Sequence, residues 1–236
     1  MKISLSKIHA FNLPVSKFYL LILLVLSIFL HSCNITWLSS RYSLSEKYKI
    51  IHCNTARFNL VMGARSKEII RLSNLARTNP ELLRKYVLIK YGNEYVNRSG
   101  IKVSLNKKKE LPLLKPSYLL WLSAKFHAIA SGLTAYEGHR GFKLRTRLFC
   151  NFNCMLPYVM SGENCAYGPY KAIDLFLGWM ESSGHRANIM NKNYYRIGIG
   201  GFIHFSEYRY NMVQNFSGPK IKDVLFRPNK VFKIKN

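Results

Sequence analysis

Acidic side chains are scarce in this chain: 11 Asp and Glu face 36 Lys and Arg over 236 residues, a formal net charge of +25 at pH 7. Such a balance favours anionic partners, whether nucleic acid, an anionic membrane or an acidic glycan. The basic residues are spread along the chain, with no RNP-like aromatic motif, no zinc-finger spacing and no helix-turn-helix pattern, so no specific nucleic-acid partner is expected. Catalytic signatures are missing too. Neither a GxSxG elbow nor an HExxH pair is present, which removes two common hydrolase arrangements. The spacing of Cys150 and Cys154 is not repeated elsewhere, so no zinc clamp of paired cysteines is available. There is no internal repeat, and so no sign of a solenoid.

Long apolar runs are also lacking. The stretch 18–30 holds 13 residues, broken only by Ser27. As a helix it reaches about 20 Å, short of the roughly 30 Å hydrocarbon core. Lys2, Lys7 and Lys17 precede it, and His31, Ser32 and Cys33 follow. That order predicts a secretory signal over 1–32, with an uncleaved signal anchor as the alternative. Cys33 stands where a lipid-modified cysteine would lie, although Leu30-His31-Ser32 matches such a site poorly. Secretion predicts disulfides among Cys53, Cys150, Cys154 and Cys165, the last three within sixteen residues, and leaves their pairing open. Asn34, Asn97 and Asn215 each precede Ser or Thr by two positions and are glycosylation candidates.

Beyond the signal, 33–65 reads as an extension or a short strand pair, 66–218 as a folded domain and 219–236 as an exposed basic tail. Ile69, Ile70, Leu72, Leu75, Ala76, Leu82 and Leu83 recur at helical intervals, with Ser66 as a candidate cap and Asn79-Pro80 as a break. Residues 91–116 read as a long loop, 116–132 as a helix ended by Gly132, and 134–157 as a polar, basic loop holding His139. Helices are expected at 172–180 and 185–190, and a hairpin from strands at 195–205 and 208–216. Helices first and strands late indicate an α+β domain.

The most specific run is 161–201, which reads SGENCAYG, a tryptophan, SSGHRANI and then YYRIGIGG. Upstream stand Asn74-Leu75-Ala76-Arg77, Ala124 with His127 three residues on, and His139 twelve residues further. Together with Gly162-Glu163-Asn164, Trp179 and Ile197-Gly198-Ile199-Gly200, this ordered series resembles the CAP superfamily (cysteine-rich secretory proteins, antigen 5 and pathogenesis-related 1; the SCP domain). The resemblance is closest to the compact bacterial-type form and covers about two-thirds of the chain. It implies a three-layer α-β-α sandwich. Plant and animal members carry a His-Tyr-Thr-Gln segment whose His joins another His and two Glu in a central cleft. Asn211-Met212-Val213-Gln214 is matched to it here, so Asn211 replaces that His and the cation-binding set is incomplete unless His185 approaches.

Convergence of His139, Glu163 and His185 therefore rests on the resemblance. Two imidazoles and a carboxylate can hold a zinc-type divalent cation, or serve as general acid and base. Asn164, Asn211 and Gln214 are expected to complete a ligand cleft. His127, on a helix beside core residues, is read as structural. Trp179 and Tyr167 are read as core fillers and Asn188 as a bridge between loops. The resemblance implies a secreted, monomeric binding module for sterol or fatty acid that requires no cofactor. An anionic membrane surface or an extracellular protein is the expected partner. Phe149, Phe152, Met155, Leu156 and Tyr158 in the cysteine loop are candidate lipid contacts. The alternative is a metal-dependent hydrolase or peptidase using His139, Glu163 and His185.

Overall fold

The computed structural model describes residues 41–105, 110–151 and 159–219. The expected signal helix, Cys33, Asn34, Phe152, Cys154, Met155, Leu156, Tyr158 and the tail beyond 219 lie outside the described residues. The chain divides into two compact units, 1–47 and 48–236. In the first, the described residues open helix α1 (Leu44–Cys53). Ser43 and Glu46 form a reciprocal capping box: each side chain accepts the other's backbone N–H, at 2.8 and 3.2 Å. A helix thus replaces the irregular extension expected here.

The second unit follows α1 with α2 (Ala64–Thr78), α3 (Pro80–Tyr91), α4 (Asn93–Val96), α5 (Ser99–Leu105), β1 (Lys115–Pro116) and α6 (Tyr118–Leu133). It continues with α7 (Phe142–Asn151), β2 (Val159–Tyr167), α8 (Ala172–Glu181), α9 (Ser183–Ile189), β3 (Arg196–Ile203) and β4 (Tyr210–Pro219). The sheet order is β1-β3-β4-β2, with β1 parallel to β3 and the other pairs antiparallel. Helix α6 lies on one face, and α2 with α8 lies on the other. This is the expected α+β architecture in three α-β-α layers.

Two glycines of β3 set the distance of α6. A Cβ on Gly198 would lie 2.0 Å from the Trp121 nitrogen, and one on Gly200 would lie 2.5 Å from Lys125 backbone. Only bare backbone allows the helix to seat there. On the other face Ile197, Ile199 and Phe216 meet a core that includes Ile69, Leu72, Phe176 and Trp179, all buried.

The Asn-x-x-Arg element on α2 holds loops together. Asn74 donates to the Cys53 and Leu114 carbonyls and accepts from the Leu114 amide. The buried Arg77 guanidinium donates to the carbonyls of Pro112, Ile189, Asn191 and Tyr194. Burial lowers its pKa to about 10, yet four carbonyl partners keep it satisfied at neutral pH.

Several local expectations shift. Gly63, not Ser66, caps α2, and Ser66 sits inside the helix with its hydroxyl on the Ile199 carbonyl at 3.3 Å. Gly132 does not end its helix; it lies within α6, where a Cβ would meet the Ile203 carbonyl at 2.1 Å, and Thr134 is the cap. The loops expected at 91–116 and 134–157 contain α4, α5, β1 and α7. Helices this short carry too few turns for periodicity to register, and burial of Val96 and Ile101 supports them instead. The break at Asn79-Pro80 is as expected, with the Asn79 side chain capping Leu82 at 3.0 Å.

Candidate functional site

Strand β2 is the sheet edge remote from β1. Glu163 and Cys165, two residues apart, share the face turned toward α6, where Ala124, Ala128 and Val213 pack against Cys165. His127 is buried on that same helix. The Glu163 carboxylate, only 1% exposed, is the hub of the cluster. Its Oε2 accepts from Nη2 of Arg145, on α7, at 2.7 Å. Its Oε1 lies 3.0 Å from Nδ1 of the half-exposed His139 and 3.9 Å from Nε2 of the buried His127. Arg145 also donates to the Arg140 carbonyl, which anchors the loop carrying His139.

Charge and burial act in opposite directions here. Burial lowers the pKa of His127, and Glu163 opposes the shift only in part. Its Nε2 is 2.8 Å from the Gly138 carbonyl, so that nitrogen carries the proton. Cys165 lies 3.6 Å from His139 Nδ1, and its thiol is pushed well up, first by burial and then by the Glu163 charge. A protonated thiol is a poor nucleophile.

His185 approaches from α9. It lines a cleft of about 290 Å³ with Glu137, Cys165, Tyr167, Asp174, Leu175 and Trp179. Burial, and then the charge of nearby His139, lowers its pKa. The Trp179 indole donates to the Cys165 carbonyl at 3.2 Å, tying α8 to the edge strand.

Residues 70–216, more than half the chain's length, match the family model described as "Cysteine-rich secretory protein family", CAP. The chain belongs to the CAP family. The uncharacterized protein YkwD of Bacillus subtilis (strain 168) is 42% identical over 45 residues, 19% of this chain and 18% of that protein. Among solved structures, an extracellular protein containing an SCP domain from Bacillus anthracis str. Ames is similar at 18% identity and a TM-score of 0.44. That likeness covers 70% of this chain and 43% of the other. An outer surface protein from Borrelia burgdorferi is similar at 20% identity and a TM-score of 0.41, over 54% of this chain and 90% of that one. The chain thus spans less than half the length of YkwD and of the Bacillus anthracis protein.

In this CAP domain the six residues expected to line one cleft fall into separate groups. His139 and Glu163 meet, and His185 stands close by. Asn164, next to Glu163 along β2, points to the opposite face. Its amide donates to Gln214 Oε1 at 3.0 Å and to the His185 carbonyl at 3.1 Å. Asn188 completes this network, donating to Asn164 Oδ1 and the Glu163 carbonyl, so it ties helix α9 to strand β2 where a bridge between loops is expected. Asn211 is paired with Tyr167, four residues along β2 from Glu163. It holds α6, donating to the Ala128 carbonyl and Ser131 Oγ, and accepts the Phe202 amide. Asn211 and Gln214 are therefore structural, and the histidine near the cleft comes from His185 instead.

The metal expectation changes too. Among the described residues the group able to hold an ion is His127, Glu163 and Cys165, whose ligand atoms lie within 4.8 Å of one another. His139 Nδ1 adjoins it; His185 is not a member. Two nitrogens, an oxygen and a sulfur suit a zinc-type ion, provided the thiol and His127 Nε2 give up their protons. Sequence alone places His127 in the core and Cys165 in a disulfide. The Ala-x-x-His element and the two-residue spacing of Glu163 and Cys165 were the available signals. Nothing in the sequence marked Arg145.

Cys53 and Cys165 are both free and buried, so the disulfides expected of them are absent. Cys53 lies beside the Thr78 hydroxyl at 3.5 Å, and burial raises its thiol pKa. Asn215 is 2% exposed and donates to Ser123 Oγ, which closes that sequon to a glycan, whereas Asn97 is exposed at the end of α4. Phe149 packs against Phe126, with ring centroids 6.2 Å apart. Tyr167 lines the cleft and is only half-buried. No helix among the described residues is long and apolar enough to cross a membrane.

Proposed function

We propose that this CAP domain acts outside the cell as a binding module, taking part of an apolar molecule, a fatty acid or the edge of a sterol, into the cleft beside β2. The wall chemistry carries the reading: Tyr167, Leu175, Trp179 and Tyr208 supply apolar groups and His185 a polar one, while Glu137 and Asp174 also line the cleft and favour a hydroxyl over a carboxylate at the ligand's polar end. About 290 Å³ sits just below the ~300–1,000 Å³ usual for enclosed ligand sites, which suits one end of a chain. The polar end of that ligand would meet His185. The basic, apolar and small-residue order of 1–33 supports an extracellular setting.

A hydrolase using His139, Glu163 and His185 is the second reading. Glu163 is ill-suited as a free base, because Arg145 and His139 occupy its two oxygens. The His127, Glu163 and Cys165 group favours this reading only with a bound metal, which would polarise a substrate carbonyl or a water. Titration of the secreted protein with a fluorescent fatty acid tests the two. Saturable binding displaced by unlabelled fatty acid or sterol supports the module. Absence of binding, with zinc-dependent peptide or ester hydrolysis lost in Glu163→Gln, would reverse the choice.

A further inference from the structure

At the opposite edge of the sheet, beside β1, lies a second cavity of about 580 Å³ whose lining includes Tyr48, His52, Arg57, Phe58, Lys115 and Arg196. Three permanent cations line it and no acidic side chain does. Among the described residues none of the three is paired with a carboxylate. The walls are aromatic: the Arg57 guanidinium lies 4.3 Å from the Phe58 ring centre, and Tyr48 stacks on His52 at 5.8 Å.

The loop that supplies Arg57 and Phe58 projects apolar groups into solvent. Phe58 is 70% exposed, Leu60 98% and Val61 40%, while Met62 behind them is buried. This presentation is held by Asn59. Asn59 Oδ1 accepts the amides of Val61 and Met62 at 3.1 and 2.9 Å, and the Asn59 amide donates to the Ala56 carbonyl at 2.9 Å. A rigid loop that holds leucine in water beside unpaired cations needs a partner offering apolar depth and negative charge together.

We propose that this loop and cavity form a docking surface for bilayers containing anionic phospholipid. Phe58, Leu60 and Val61 enter the boundary between headgroups and acyl chains, and Arg57, Lys115 and Arg196 receive lipid phosphates. A soluble polyanion would satisfy the cations but leave Leu60 without a partner. The site is separate from the β2 cleft and does not depend on what that cleft takes.

Co-sedimentation of the purified protein with vesicles tests the proposal, comparing phosphatidylcholine alone with phosphatidylcholine plus phosphatidylserine. Binding should require phosphatidylserine and weaken with salt. Leu60→Asp should lower partitioning at least about tenfold. Joint replacement of Arg57, Lys115 and Arg196 by Gln should lower it roughly a hundredfold, at about fivefold per cation. Unchanged circular dichroism and melting would show that both variants fold. Wild-type binding retained by either folded variant, or equal binding to neutral vesicles, would overturn the proposal. Capture by heparin with no effect of Leu60→Asp would also overturn it, in favour of a polyanion surface.

Discussion

Gly178 allows the cleft to be closed without disturbing the fold. It lies inside α8, on the wall of the cleft, and a Cβ there would have nothing within 4 Å. Gly178→Leu therefore adds a side chain where there is room. Replacing glycine in a helix interior contributes about 0.5–1 kcal/mol of stability. For a domain of this size that raises the melting temperature by roughly 1–4 °C. The same side chain occupies space the ligand would use. Excluding about three methylenes costs roughly 2.4 kcal/mol, close to fiftyfold in Kd. Thermal melting and fatty-acid titration on one sample read both effects. A variant that melts at or above the wild type and binds at least tenfold more weakly fits the cleft assignment. Unchanged affinity would refute it, and a lower melting temperature would show that α8 requires the glycine.

Other expectations concern the polar cluster and the sheet. Arg145→Met leaves the 1%-exposed Glu163 carboxylate without its cation and should cost about 3–5 kcal/mol in urea unfolding, most of it regained on adding Glu163→Gln. A cost under about 1 kcal/mol would mean that the pair behaves as a solvent-screened one. His127 has a folded pKa lowered by burial, so its contribution to stability is present above the unfolded value of about 6.5 and is lost as pH falls. Urea midpoints should fall from pH 7 to 5.5, with a slope of up to about 1.4 kcal/mol per pH unit per group, and His127→Gln should reduce it, leaving the share of His185, whose pKa burial also lowers; an unaltered slope would assign the loss elsewhere. Gly198→Ala, with its Cβ 2.0 Å from the Trp121 nitrogen, should lower stability by at least about 1–3 kcal/mol, measured by denaturation. Expression in a glycosylating host should place glycan on Asn97 and none on Asn215, as peptide mapping would show.

Much of this organisation could be read from sequence, for reasons that differ between elements. Helices α2, α6 and α8 carry enough apolar positions to set a period, and the IGIG run forms β3 as its pattern implies. Helix α1 was missed because its signal is the capping pair Ser43 and Glu46, not an apolar stripe. The cleft was only partly legible. Motif order grouped Glu163 with His139, and the structure has them 3.0 Å apart. It could not show that Asn164 and Gln214 turn to the far face of the sheet, because that depends on strand register. It assigned Asn211 to the cleft, where the structure gives it the task of seating α6. Arg145 was invisible, since one arginine in a basic loop looks like any other until a buried carboxylate meets it. Cys165 carried a disulfide expectation drawn from compartment and from its clustering with Cys150 and Cys154, and the structure has it as a buried free thiol.

The proposed ligand cleft beside β2 and a hydrolytic metal centre make opposite demands on what the protein retains. Native mass spectrometry of the purified protein, with fatty acid, sterol and zinc added separately, decides between the two readings. A ligand cleft gives one fatty-acid or sterol adduct, strongly weakened by Gly178→Leu and indifferent to chelator. No lipid adduct, together with one tightly held zinc lost in both His127→Ala and Cys165→Ser, would contradict it.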